Sequence, residues 1–398
     1  MNIAVFSTMA GAPWGGSEEL WHATAAAAIR AGHRVIISTF HWGAPPPKLQ
    51  ALLDAGALHL PRPRRPGRLA SWLGLTPPWL AELERFAPDA VLLSQGSAYE
   101  CAARRATRPL LTWLTRRGVP VVNLVQFNRP DVKRDRATLR LAQGLYRSAA
   151  ANLFVCQRNA EQAAQWLGQP VPRSRVVCNP VNLPSTAALP LPPLAEGQPI
   201  RLACVARLEA ATKGQDLLLH ALADVLRRHP GGLSLTLAGQ GRDLQPLTEL
   251  RDRLGLSADV AFAGQVTTLT DLWRTHHALA LPSHAEGTPL AMVEAMLLGR
   301  PALVTDVGGC ADWVRDGVDG WVVPAPSHDT LAAGLLRLLA DRSHLPGMAA
   351  AARQRAVELH DPQPGDTVLS ILTAAATDPQ TPPTPSPAPA PARRTGPA

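Results

Sequence analysis

Short apolar runs of four to eight residues, rich in β-branched side chains, alternate from end to end of this chain with longer stretches of helical periodicity. Such alternation constrains the fold more than any other feature: successive β-α units stack their strands side by side in one direction and cover both faces of the sheet with helices. In the first half the strand candidates are NIAVFST, HRVIISTF, DAVLLSQ, PVVNLVQ, ANLFVC and RVVCNPV, with helices such as 18–31 and 134–149 between them. In the second half they are IRLACVAR, LSLTLAGQG, VAFAGQ, ALALPS, PALVTDV and GWVVP. The expectation is an α/β protein with two parallel sheets of about six strands each.

A length of 398 residues exceeds what one hydrophobic core usually holds, so two domains are expected. Between the halves, residues 183–199 read LPSTAALPLPPLAEGQP, where prolines and small residues continue neither a helix nor a central strand. This divides the chain into a first domain at 1–182, a linker at 183–199 and a second domain at 200–360. A closing helix is expected at 361–377. The tail 378–398 holds eight prolines in 21 residues and is expected to stay disordered or extended. No stretch of 18 uncharged apolar residues occurs, and the N-terminus MNIAVFSTMAG lacks the pattern of a signal peptide, so a cytoplasmic protein is expected. Five scattered cysteines without C-x-x-C spacing suggest neither disulfides nor a metal site.

Charge is divided unevenly: residues 1–180 hold 22 Lys/Arg against 10 Asp/Glu, and 181–398 hold 17 against 21. The basic first half suits an anionic partner such as phospholipid headgroups, a lipid-phosphate carrier or nucleic acid, or is simply an arginine-rich solvated surface. Residues 41–80 interleave Trp42, Trp72 and Trp79 with Arg62, Arg64, Arg65 and Arg68. That mixture fits a peripheral contact at the inner face of the membrane, an acceptor-binding lid, or a long loop packed on its own domain.

The chemistry concentrates in the second half. Strand ALALPS leads into His284-Ala285-Glu286-Gly287, after which Thr288 is expected to cap a helix beginning at Pro289. The free N–H groups of Leu290 and Ala291, with the positive end of the helix dipole, make an anion site suited to phosphate. Glu294 lies five residues past Pro289, roughly 7.5 Å along the axis. This is about the reach from a phosphate to the ribose of the same nucleotide, while Glu286 can accept hydroxyls of a sugar beyond the phosphates. The spacing therefore fits a nucleotide-sugar. Upstream, a strand ends at Arg207, and Lys213-Gly214 opens an amphipathic helix. Those two cations would neutralise a departing diphosphate without a metal. Gly239-Gln240-Gly241, after another strand, would allow a ligand to approach the backbone.

In these residues the chain resembles the retaining family 4 glycosyltransferases (glycosyl transferases group 1) of the GT-B fold. The likeness is carried by Gly15-Gly16-Ser17-Glu18, by Ala31-Gly32-His33-Arg34-Val35, by the Arg207–Lys213 turn, by the E-x7-E pattern of Glu286 and Glu294, and by Gly308-Gly309. It implies two Rossmann-like domains facing each other across a cleft, with a closing helix that returns to the first. It also implies that Arg207 and Lys213 hold the donor diphosphate, Glu294 the ribose, Glu286 the transferred hexose and Gly16 a phosphate. Gly15, His284, Gly287 and Thr288 join the expected donor contacts, and Glu18, Gln95, Gln126 and Asn128 are the expected acceptor contacts. The partners expected are a UDP- or GDP-linked sugar and a glycan or lipid-linked acceptor in glycan, polysaccharide or glycolipid synthesis, with no nucleic acid, metal or other cofactor. Two features depart from the family pattern. Lys213 follows Arg207 by six positions where five is common, and the stretch from Asn123 to Asn128 offers no histidine or aspartate. An inverting reaction needs a base there and a retaining one does not. Two rival readings are a catalytically idle nucleotide-sugar-binding adaptor and a nucleotide-sugar epimerase. A dinucleotide oxidoreductase is disfavoured, because no strand precedes G-x-G-x-x-G with an acidic residue at the next strand end.

Overall fold

The computed structural model describes residues 1–64, 77–128 and 135–377. The expectations for Arg65, Arg68 and Trp72, for a helix start at Arg134 and for the proline-rich tail fall outside the described residues. The chain forms two compact units, one built from Met1–Pro180 with the segment beginning at Asp361, the other from Val181–His360. None of the described helices is long and apolar enough to cross a membrane.

The sheet of the first unit contains β1 (Asn2–Ser7), β2 (Arg34–Ser38), β3 (Leu58–His59), β4 (Ala90–Gln95), β5 (Val121–Val125), β6 (Ala151–Phe154) and β7 (Ser174–Val176). They lie in the order β3-β2-β1-β4-β5-β6-β7, every pairing parallel. The central strands are buried along their length, because helices cover both faces. All six expected strands are present; the seventh, β3, is two residues long and too short to show periodicity. The stretch 41–80, read from sequence as irregular, also contains helices Pro47–Asp54 and Pro78–Phe86, each with Pro77, Pro46 or a neighbouring proline fixing its first turn.

Helix Pro364–Thr377 belongs to this first unit. It lays Val368, Leu369, Ile371, Leu372 and Ala375 into the same core as Leu20, Trp21 and Ala25 of helix Glu19–Arg30. The two helices approach so closely that a side chain at Gly365 would strike the Ala23 carbonyl.

The second unit contains β8 (Ile200–Val205), β9 (Leu233–Ala238), β10 (Val260–Gly264), β11 (Ala278–Leu281), β12 (Ala302–Thr305) and β13 (Gly320–Val323), in the order β10-β9-β8-β11-β12-β13 and again parallel. This is the doubly wound Rossmann order, which turns back on itself between β8 and β11. Residues 183–199 form no helix or strand. They are pinned by Arg300, a fully buried guanidinium before β12. It donates to the carbonyls of Leu189 at 3.2 Å, Pro190 at 2.8 Å, Leu298 and Gly299 at 3.0 Å, and Trp273 at 2.6 Å.

Removing that cation takes a donor from five carbonyls, those of Trp273, Leu298 and Gly299 buried, and leaves a cavity. Arg300→Ala is expected to cost about 3 kcal/mol. For a unit of this size that lowers the first thermal transition by about 6–12 °C. A calorimetric melt within about 2 °C of the parent would show that the clamp is unimportant.

Candidate active site

The carboxyl ends of β8 and β11 lie side by side, while the chain leaves β8 for β9 on one flank and β11 for β12 on the other. A crevice opens above such a divergence, and the loops after both strands line it. They touch backbone to backbone. Gly214, at φ +66°, leaves no room for a Cβ, which would run into the Pro282 carbonyl oxygen. The His284 N–H donates to the Thr212 carbonyl at 3.0 Å.

This contact delivers Lys213 to Glu286, Nζ to Oε1 at 2.6 Å, with side chains 19% and 10% exposed. Ser283 Oγ donates to the same Oε1 at 2.6 Å, and the Ser283 carbonyl accepts from Thr305 Oγ1, at the end of β12, at 2.6 Å. The loop after β12 backs the arrangement. Gly308, at φ +53°, lies flat against the carbonyls of Glu286 and Gly287, and the Gly309 N–H donates to the Gly287 carbonyl at 2.7 Å.

The helix after this loop spans Leu290–Leu297, one residue later than the sequence suggests. Pro289, at ψ 121°, is the N-cap and not the first helical residue, so Thr288 stands one position before the cap. Met292 and Val293 return their N–H groups to the Pro289 carbonyl at 3.1 and 3.3 Å, so those of Leu290 and Ala291 remain at the helix mouth. Glu294, one turn further in, is 3% exposed, and its Oε1 accepts the Asn182 N–H at 2.7 Å.

Other expected donor residues stand differently. The Arg207 guanidinium is 70% exposed and rests 3.5 Å from Glu209, which also holds Arg242 at 3.0 Å. It lies outside the Lys213–Glu286 pair. The Arg207 carbonyl is fixed by the buried Gln215 side chain at 2.7 Å. Gly239 and Gly241 are required for a reason other than ligand approach, since a Cβ on either would strike the Ala206 or Leu208 carbonyl of the neighbouring loop. His284 is exposed, and its backbone joins the two loops.

In the first unit the corresponding divergence lies between β1 and β4. Gly15 caps the turn Gly16–Glu18. Glu18 is buried and accepts from Ser7 Oγ at 2.5 Å and Ser17 Oγ at 2.7 Å. Burial pushes its carboxyl above the ordinary range despite both serines. Gln95 bridges Asn123 at 2.6 Å and the Cys101 N–H at 2.8 Å. Asn128 joins the Ala98 N–H to the Asn159 carbonyl at 3.1 and 2.7 Å. Both amides thus hold loops together. Gln126 accepts from Asn179 at 3.0 Å, while its own buried Nε2 has no partner among the described residues.

Sequence reasoning missed Glu100 and the burial of Arg62. Glu100 closes the loop after β4 onto β1 by accepting from Thr8 at 2.7 Å and the Gly96 N–H at 2.8 Å. Arg62, in a proline-rich stretch, is buried against the Phe6 and Phe40 rings and bonded to the Ser7 carbonyl. Its surroundings lower its pKa to about 10, chiefly by burial, so it stays charged. Trp79 packs 6.2 Å from the Phe6 ring, and Trp42 lies under Arg64 at 4.0 Å. Trp79, Trp42, Arg62 and Arg64 thus pack on their own unit, as one of the readings of this stretch expects.

Two Rossmann-type parallel sheets, the second carrying a cation–carboxylate pair and a helix N-terminus at its switch point, define an α/β protein whose second switch point suits an anionic ligand. The sequence model for "Glycosyl transferases group 1" matches residues 199–341, and that for "Glycosyltransferase Family 4" matches 14–184. The chain belongs to the group 1, family 4 glycosyltransferases, and its fold is GT-B. It is 38% identical over 160 residues to the D-inositol 3-phosphate glycosyltransferase of Nocardia farcinica, a match covering 38% of this chain and 35% of that protein. The matched stretch thus spans about a third of the relative's length. In fold the chain resembles Anabaena Alr3699/HepE, solved in complex with UDP, with a TM-score of 0.75 at 19% identity over 94% of this chain and 100% of that one. It also resembles WaaG, a glycosyltransferase involved in lipopolysaccharide biosynthesis, with a TM-score of 0.68 at 18% identity over 93% and 99%.

The raised pKa of Glu18 carries a sign that can be measured. The folded protein holds this proton more tightly than the unfolded chain, whose value is near 4.5, so the parent loses stability as pH climbs from there through the folded value. Glu18→Gln cannot ionise and escapes that loss. Its melting temperature should gain on the parent as pH rises above the unfolded value near 4.5, and parallel curves there would contradict a buried, proton-retaining carboxyl.

Proposed function

We propose that the protein is a retaining, metal-independent hexosyltransferase that uses a nucleoside-diphosphate sugar. The observation that supports this most is the Lys213–Glu286 pair, 2.6 Å apart at the divergence of β8 and β11 and beside the mouth of helix Leu290–Leu297. A diphosphate at that mouth meets the N–H groups of Leu290 and Ala291, and Lys213 and Arg207 stabilise the charge that develops as it leaves. Arg207 reaches it by releasing Glu209, an inexpensive exchange for so exposed a pair. Glu294 takes the ribose hydroxyls and Glu286 the hydroxyls of the sugar.

The residues of the first unit support the retaining reading. Gln126 and Asn128 are amides and accept no proton at neutral pH, and Glu18 is buried on two serines. The bond from the anomeric carbon to the phosphate oxygen breaks, the acceptor oxygen bonds to the same face, and the departing phosphate oxygen takes the acceptor's proton. UDP-glucose is the first donor to try, because solved proteins of the same fold were captured with UDP and UDP-glucose. A hydroxyl of a glycan or lipid-linked carrier is the acceptor we assign, with the reaction taking place in the cytoplasm.

A thermal-shift panel of UDP, GDP and their sugars identifies the donor, since a ligand at a hundredfold its dissociation constant stabilises by about 2.7 kcal/mol. With that donor, Lys213→Ala should lower turnover at least about a hundredfold, roughly 2.7 kcal/mol of barrier. Glu294→Ala should weaken binding of the free nucleotide, and Glu286→Ala should mainly lower kcat. Full activity in EDTA and an axial anomeric coupling in the product are expected. An equatorial product from an axial donor would overturn retention, and equal losses of nucleotide affinity in the two glutamate variants would overturn the division of their roles.

A further inference from the structure

We propose that Ser283 and Thr305 are positioning residues that decide which oxygen of Glu286 faces the donor sugar; this rests on the donor reading above. Both hydrogen bonds to the Glu286 carboxylate among the described residues fall on Oε1, from Lys213 Nζ and from Ser283 Oγ, each at 2.6 Å. A carboxylate offers about four acceptor positions. Those of Oε2 therefore stay available for sugar hydroxyls, while Oε1 is held from within the protein.

The two internal donors differ in what happens when substrate arrives. Lys213 is a flexible cation that the diphosphate attracts, so its grip on Glu286 loosens when the sugar has to be aligned. Ser283 is 1% exposed and cannot turn to the ligand, so its hydroxyl is the donor that remains. Thr305, fully buried, fixes Ser283 in turn by donating to its carbonyl at 2.6 Å. The relay depends on strand register. Leu281 of β11 pairs with Val304 of β12, which brings Ser283, two residues beyond the one, beside Thr305, one beyond the other. Neither hydroxyl touches substrate, and both act through Glu286.

The test uses the full chain with Ser283→Ala, Thr305→Val and the conservative Thr305→Ser. With UDP-glucose, Ser283→Ala is expected to lower kcat about 10- to 100-fold and Thr305→Val about 3- to 10-fold, with Thr305→Ser near the parent. The affinity for UDP alone, by calorimetry, should change less than about twofold in all three, because UDP lacks the sugar that Glu286 aligns. Affinity for UDP falling in step with kcat, or Thr305→Ser failing to rescue, would reduce both residues to structural packing and overturn the proposal. Ligand-free crystal structures of Lys213→Ala and of Lys213→Ala combined with Ser283→Ala keep the test independent of the donor: a Glu286 carboxylate held in its parent plane in the first and turned from it in the second supports positioning, and one left in the same plane in both overturns it. Parent protein that neither binds UDP nor consumes UDP-glucose would count against the donor reading alone.

Discussion

The second unit depends on one steric constraint, the contact of Gly214 with the Pro282 carbonyl. A parallel sheet offers a ligand crevice only where its connections diverge, and the crevice is useful only if side chains from both flanks reach one point. Any Cβ at position 214 would push the loop after β8 away from the loop after β11. Lys213 and Glu286, 73 positions apart in sequence, would then fail to meet. Gly308 performs the same service from the far side, letting the loop after β12 lie against the Glu286 backbone.

The ion pair that results suits a site that must exchange partners. Each group is mostly withdrawn from water, so each compensates the other's desolvation, and neither would rest comfortably alone. A diphosphate gives the ammonium another anion, and sugar hydroxyls give the carboxylate other donors. The ligand-free pair thus keeps two demanding groups in place at little cost. The polar groups at the comparable edge of the first unit are arranged otherwise: Glu18, Gln95, Asn128 and Glu100 bond to neighbouring loops and build the floor of that edge.

Stability and chemistry are placed at opposite ends of the second sheet. Arg300 precedes β12 and gathers the carbonyls of five residues at the amino edge, which fixes the segment that enters the unit. Lys213, Ser283, Glu286 and Thr305 gather at the carboxyl edge. Two buried or half-buried cations on one sheet therefore have different tasks, and the difference is which end of a strand each is attached to.

The chain's own pattern determined the sheets, because burial on both faces forces continuous apolar runs that can be read directly; all twelve expected strands formed. It also determined where Glu294 stands, since the short helix Leu290–Leu297 carries it one turn in from its N-terminus. Local signals failed where the partner was remote. Pro289 reads as a first helical residue but serves as the cap. Nothing near Arg62 in the chain announces that Phe6 and Phe40 cover it, and β3 is too short to announce itself. Only the tertiary structure decided that Ser283 and Lys213 share one oxygen of Glu286, that Gly239 and Gly241 serve loop packing, and that Arg207 rests on Glu209. The physical reason is range: strands and helices follow from periodicities of two and 3.6 residues, whereas a hydrogen bond between loops depends on strand register and on which backbones can touch, and no periodicity along the chain records either.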